Sequence, residues 1–425
     1  MTGPFLREEI ERGVVEGYCH QDWLPLLSAF RENFRSRGEL GASLCVKVRG
    51  ETYIDVWGGL ASAVDEKPWT EDSVVVVFSA TKGATATCAH VLASRGQLDL
   101  NAPVAAYWPE FAKNGKQNAT VAMTLNHSVG VPGFRERVKP GGFADWDYMV
   151  RRIEDEPAFW EPGTRCGYHM LTIGWTVGEL VRRVSGKSLG TFFRDEIAGP
   201  LGLDFWIGLP EELEDRVARF VPHVPLRGDP LLTDLQRSLL ENPATDFARA
   251  VLNAGGYEPA RLDKESGRYV PDTRLAHAAE IGGSGGIANG RGLAQLYDPL
   301  ANGGGSLMSA DHVWRMSRVS MAASRDPILM MPTRYALGYM KSMDNRHRPL
   351  GAIESVILGD RAFGHVGAGG SLGFADPDCG LSFGYAMNRM GPGILLNARG
   401  QSLVDTTYKL LGYRSNESGA WMSDR

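Results

Sequence analysis

Ser79 and Lys82, three positions apart in FSATKG (78–83), are residues whose types and spacing could do chemistry. At the start of a helix, residues i and i+3 share a face, with Cβ atoms about 5–6 Å apart. The serine N–H then belongs to the first turn, whose donors have no intrahelical acceptor and carry partial positive charge. One element could thus supply a nucleophile, a base and a donor to a developing oxyanion. The lysine must be neutral to act as a base, so its ordinary pKa of about 10.4 has to fall. Burial and a helix N-terminus both push it down. Taken alone, the same spacing is also found where a polar pair caps a helix.

Two further stretches could complete such a site. Tyr168 in EPGTRCGYHMLTIGW (161–175) follows a Pro-Gly loop and leads into a helix, where it could present its hydroxyl to a cleft or pack at the helix start. In FGHVGAGGSLGF (363–374), glycine density inside a strand pattern marks close approach by another backbone or a ligand, or else a bulge or tight turn. Backbone N–H groups there could serve as a second oxyanion donor. Two G-x-S-x-G strings, around Ser284 and Ser371, spell a nucleophile elbow, which requires a strand before it and a helix after it. TRLAHAAEI before Ser284 reads as helix or loop, and more strand follows Ser371, so neither serine is taken as the nucleophile. Of the histidines near the expected cleft, His127 reads as a structural hydrogen-bonding group. His169 is left open between a supporting role and the surface.

The elements that must position these residues follow from periodicity. Trp23, Leu26, Leu27, Phe30 and Phe34 give one apolar helical face, with Asp22 as N-cap and Gly38 as stop. Alternation in ASLCVKVRGETYIDVWGG predicts an antiparallel hairpin turning at Arg49-Gly50. SVVVVF is a short buried strand or extended entry to a helix over 79–96. A second helix spans 171–185, with Ile173, Val177, Leu180, Val181 and Val184 on one face and Glu179, Arg182 and Arg183 on the other. The stretch 210–290 is loop-heavy. Strands return in RYALGYMKS, RAFGHVGAGGSLGFADP and LSFGYAMNRM, before a last helix bearing Leu403, Val404, Leu410 and Leu411. Strands at both ends with helices between predict an α+β fold. The expected division is a discontinuous sheet domain of 1–112 and 306–425, carrying Ser79, Lys82 and the Gly-rich strand, and a mostly helical domain of 113–305, carrying Tyr168. DFWIGLP (204–210), Trp160 and ILMMPTRYALGYM (328–340) could line an acyl or alcohol pocket or simply fill core.

Composition narrows the function classes. With 425 residues, 43% hydrophobic and 22% charged, the chain is ordinary globular material, and a formal net charge of −5 without a basic run argues against nucleic acid. The five cysteines, Cys19, Cys45, Cys88, Cys166 and Cys379, are odd in number and include no close metal-type pair, so no metal and no disulfide framework are expected. MTGPFLREEIERG places acidic residues where a leader would be apolar, and no stretch approaches the roughly 18 apolar residues of a membrane span. The expectation is a cytoplasmic, soluble protein without a cofactor, membrane contact or nucleic-acid partner, acting on a small molecule.

Taken together and in order, Ser-x-x-Lys, the tyrosine and the Gly-rich strand resemble the serine β-lactamase and penicillin-binding-protein superfamily, within it the class C β-lactamases and, closest, the family VIII esterases. TLNHSVGVPGF (124–134), FWEPGTRCGYHMLTIGWTVGELVRRVSG (159–186), GPLGLD (199–204) and GGSGGIANGRGLAQL (282–296) also fit, so the resemblance runs from about residue 40 onward. It implies an antiparallel sheet flanked by helices, with an inserted helical domain. It further implies Ser79 as nucleophile, Lys82 as its base or as the group that activates Tyr168, Tyr168 as proton shuttle, and the N–H groups of Ser79 and Ala368 as oxyanion hole. His365-Val366-Gly367 stands where the β-lactamases have Lys-Thr-Gly, and Met170 stands where they have the asparagine of Tyr-x-Asn; these four are expected to meet substrate. Both departures remove groups that hold a β-lactam, and His365, with a reference pKa near 6.5, is mostly neutral at pH 7. An uncharged ester needs no carboxylate anchor. The expectation is a serine carboxylesterase for short-chain acyl esters. A β-lactamase or D-Ala peptidase, an acyltransferase and a non-catalytic binding paralogue are the alternatives.

Overall fold

The computed structural model describes residues 5–224, 226, 228–242, 245, 248, 251–253, 256–258 and 260–423. Its central feature is an antiparallel sheet. The amino-terminal hairpin pairs β1 (Phe5–Ile10) with β2 (Gly13–Cys19). The hairpin expected at Arg49-Gly50 joins β3 (Gly41–Val48) to β4 (Glu51–Ser62). Both turn residues have positive φ, 51° and 83°, the mirror-image turn whose twist matches that of paired strands. The carboxy-terminal part adds β5 (Phe363–Val366), β6 (Leu372–Asp376) and β7 (Leu381–Met387). The order is β1-β2-β4-β3-β7-β6-β5, with Lys67–Pro68 pairing beside β4 as the eighth strand.

The longer helices are α1 (Leu24–Ser36), α2 (Thr81–Ser94), α3 (Trp146–Asp155), α4 (Thr172–Ser185), α5 (Asp234–Glu241), α6 (Gly290–Ala301) and α7 (Ala398–Leu410). Leu381, Phe383 and Tyr385, alternating along β7, turn one way and meet Leu26, Leu27 and Phe30 of α1 and Leu403, Val404 and Tyr408 of α7. Truncating a side chain such as Phe30, wholly buried there, is expected to cost about 3–5 kcal/mol. The opposite face, where Gly384 and Ala386 point, receives α6. Behind α6 lies α2, buried from Thr81 to Leu92. Its run of Ala, Thr, Gly and Cys lets α4 pack closely, as a helix surrounded on all sides requires. Val75–Val76 joins Ile287–Ala288 and Phe205–Trp206 in a small second sheet, which brings three distant stretches to the start of α2.

The α+β architecture is the one the sequence predicts; several local details differ. A 3₁₀ turn over Gln21–Trp23 precedes α1, so Asp22 lies before the helix and His20 accepts its N–H. The hairpin of β1 and β2 was not anticipated: β1 is an edge strand with Phe5 64% exposed, and its charged residues hide the alternation. Of RYALGYMKS only Arg334 and Tyr335 lie in a strand, Thr333–Tyr335, because Gly338, at φ 88°, turns the chain so that Met340 bridges Gly364 instead. Glu179, expected on the polar face of α4, is buried and held by Arg182, Arg183 and the indole N–H of Trp146. Among the described residues no helix is long and apolar enough to cross a membrane. Of the amino-terminal stretch read against a leader, residues 1–4 lie outside the described residues.

Candidate active site

The chain enters α2 through a constrained turn. Phe78 has φ 46°, a left-handed conformation that costs a bulky residue energy and is retained where the surroundings over-determine it. Burial against Phe220, 5.0 Å between ring centroids, supplies that constraint. Thr81 ties the turn down: its hydroxyl donates to Phe78 O at 2.5 Å and accepts from Gly286 N–H at 2.8 Å. Ser79 is left half-buried, at the edge of a cleft.

One helical turn on, Lys82 is 1% exposed, and its Nζ lies 2.9 Å from Ser79 Oγ. The amine also donates to the carbonyls of Met170 and Gly283, each at 2.6 Å. Burial holds its pKa well below that of an ordinary lysine, and no carboxylate opposes the effect. Gly283 reaches Lys82 because Gly174 of α4 has no side chain: a Cβ there would lie 2.2 Å from Gly283 N.

Tyr168 closes the other side of Ser79, whose hydroxyl lies close enough to lower the phenol's pKa. Lys82 Nζ lies 4.9 Å from the centre of the Tyr168 ring. Burial raises the phenol above its usual pKa, with the charge of Asp326 adding to the rise and the Ser79 hydroxyl opposing it. Tyr335 and His365 stack on the ring at 6.0 and 6.1 Å, and His127 packs at 4.9 Å. His127 Nδ1 accepts His169 N–H, as the structural reading of His127 anticipated. His169 is wholly buried: Nε2 accepts Val131 N–H and Nδ1 bonds Gly167 O, which fixes the loop before Tyr168.

The Gly-rich strand lies alongside. A Cβ on Gly367 would meet Val77 O at 2.1 Å, so the glycine lets this strand reach the turn before Ser79. Val366, Ala368 and Met170 line the cleft, whereas His365 and Gly367 are not among its lining residues. His365 is 1% exposed, bonds Val366 O through Nδ1, and has its pKa pushed down to about 3 by burial, with Lys82 adding to the effect. The expectation that its side chain meets substrate is thus corrected: neighbouring side chains cover the ring, and it packs on Tyr168. Met170 contributes its carbonyl to Lys82, a backbone role that side-chain reading could not reveal. The N–H groups of Ser79 and Ala368 are not spent on a backbone carbonyl among the described residues.

The cleft has a volume of about 400 Å³ and is mainly apolar. Leu235, Leu239 and Leu240 of α5 cover one side; Leu329, Met340 and Ile394 face them. This cover lies in the stretch read as loop. A capping box, Thr233 with Gln236, starts α5 and was its visible signal, together with leucines at i and i+4. Ser284 also lines the cleft but lies between a short helix, Arg274–Ala278, and a strand, the reverse of a nucleophile elbow. Ser371 is wholly buried between β5 and β6. Trp160 and Phe205 are core rather than cleft. Asp326, in SRDPIL, was missed; its position before a proline was the available sign of a side-chain-directed turn.

Known proteins of similar sequence and fold point to one family. The Beta-lactamase family model matches residues 28–404. The Esterase/beta-lactamase LipL of Mycobacterium tuberculosis is 35% identical over 385 residues, spanning 88% of this chain and 83% of that protein. Among solved structures, a family VIII carboxylesterase superposes with a TM-score of 0.79 at 35% identity, covering 93% of this chain and 99% of the other. A penicillin-binding protein homologue from Caulobacter crescentus gives 0.76 at 30% identity, covering 93% and 99%. Matched by the family model over most of its length, the chain belongs to the Beta-lactamase family and is a β-lactamase-like serine hydrolase.

Proposed function

We propose that this chain is a serine carboxylesterase that hydrolyses short-chain acyl esters through an acyl-enzyme on Ser79. The observation that carries the reading is the environment of Lys82. Two carbonyls accept two N–H groups of the buried amine, which in its neutral form leaves one lone pair for the Ser79 hydroxyl at 2.9 Å. Ser79 Oγ attacks the ester carbonyl as its proton passes to Lys82. The oxyanion meets the N–H groups of Ser79 and Ala368, a contribution of roughly 3–4 kcal/mol per donor. The C–O bond to the alcohol breaks as Tyr168 delivers a proton to the leaving oxygen and takes up in its place the one Lys82 holds, so both groups are neutral again. Water then attacks the acyl-enzyme, gives its proton back through the same groups, and releases the acid.

The cleft supports an uncharged substrate. Val366 and Met170 face it, His365 is buried and neutral, and the remaining walls are largely leucine and methionine. The name of the Mycobacterium tuberculosis relative joins esterase to β-lactamase, so lactam turnover is the second reading. The test is hydrolysis of p-nitrophenyl butyrate beside nitrocefin, in wild type and Ser79→Ala. Butyrate turnover lost in the variant, with weak or absent nitrocefin turnover, is expected. Nitrocefin as the better substrate would move the assignment to a lactamase.

A further inference from the structure

Asp326 is wholly buried, and among the described residues no cationic side chain pairs with it. Its carboxylate is nonetheless crowded with donors. Oδ1 accepts from Ile328 N–H at 2.7 Å and Leu329 N–H at 3.0 Å. Oδ2 accepts from Tyr168 N–H at 2.9 Å, and the Thr333 hydroxyl stands at 3.4 Å. The main chain closes the same loop, with Asp326 N–H donating to Met331 O and Met330 N–H to Asp326 O. Met330 takes φ 60° to make this possible, joining Phe78 and His127 as non-glycine residues near the site in the left-handed region.

A buried carboxylate without a cation is costly, and a turn alone would be served by a neutral acceptor. The titratable groups facing Asp326 are Tyr168, Tyr335 and Cys166, all neutral. Its carboxylate therefore grips, through the main chain, the tyrosine that lies beside Ser79. We propose that Asp326 is a positioning residue for acyl transfer: its carboxylate clamps the Tyr168 main chain and so holds the phenol in place beside Ser79. This inference rests on the Ser79, Lys82 and Tyr168 reading above. Asp326 also adds to the rise that burial gives the Tyr168 phenol. Asp326 itself is pushed up to about 6, burial being the main cause, so its charge is present at neutral pH and lost in mild acid.

The test is a double-mutant cycle between Asp326→Asn and Tyr168→Phe, read with p-nitrophenyl butyrate at pH 7.5 after thermal unfolding has shown each variant folded. The carboxamide introduced by Asp326→Asn would keep an oxygen for Ile328 and Leu329 and would set an amide N–H against that of Tyr168. Asp326→Asn is expected to lower kcat by about 10- to 100-fold with KM little changed, as a small misplacement of a reacting group does. In the Tyr168→Phe background that factor should collapse toward unity. The same factor in both backgrounds, or a wild-type kcat in Asp326→Asn, would overturn the role of Asp326 while leaving the Ser79 reading intact. Wild-type activity in Tyr168→Phe would overturn the role of Tyr168 and this inference with it. Should Asp326→Asn not fold, Asp326→Glu, which shifts the acceptor by one methylene, takes its place in the cycle with the same expected and opposing outcomes.

Discussion

Two buried polar clusters in this molecule treat charge in opposite ways. Between α1 and α7, Glu39 and Arg399 are both enclosed: Arg399 donates to the Glu39 carboxylate at 2.6 Å, and the Tyr385 hydroxyl donates to the same group. Every charge there has its partner. Around Ser79, among the described residues, Lys82 is buried without a carboxylate, Asp326 is buried without a cation, and Tyr168 lies between them. A paired buried charge holds elements in register; an unpaired one is poised to change protonation state. The left-handed Phe78, His127 and Met330 lie around the second cluster.

Substitutions can separate the two. The largest effect is expected at Ser79→Ala, with Lys82→Met close behind. Ester turnover should fall by about 10⁴-fold or more in each, while the denaturant midpoint stays near wild type. Arg399→Met should do the reverse. Leaving Glu39 without its cation is expected to cost about 3–5 kcal/mol in urea unfolding, with kcat of the folded fraction unchanged. A smaller effect comes from pH. His90, His169 and His365 are each pushed down to about 3, burial being the main cause. The unfolded chain takes up these protons near pH 6.5 and the folded chain does not. Their stability is therefore present above about pH 6.5 and lost as pH falls toward 3, at roughly 2 kcal/mol per histidine by pH 5. Asp326 runs the other way, since the penalty for burying its charge is relieved as pH drops through about 6. Melting temperature against pH in wild type and His365→Asn checks this: the variant should lose one histidine's share of acid sensitivity. The smallest effect is expected at Ser371→Ala, whose buried hydroxyl has no hydrogen-bond partner among the described residues, so turnover and stability should match wild type.

The parts of this picture that sequence reading reached are those with a local signature. Ser79, Lys82 and Tyr168 carry an ordered motif, and Arg49-Gly50 and the alternation around it specify a hairpin. Asp326 carries no such pattern, because its partners are backbone N–H groups whose approach depends on the fold. The carbonyls of Met170 and Gly283 are invisible for the same reason. His365 was misplaced because a strand position does not say which face is covered; here Tyr168 stacks over the ring. The leucines of α5 were passed over because glycine, proline and charged residues on either side of that helix dilute its short apolar period.

The most direct test of the central claim, that a neutral Lys82 activates Ser79, is the rate of reaction with a serine-directed phosphonate as a function of pH, followed by peptide mapping. A single adduct on Ser79 is expected, forming faster as pH rises and Lys82 sheds its proton, and failing to form in Lys82→Met. An adduct on Ser284 or Ser371, or labelling fastest below pH 6, would contradict it.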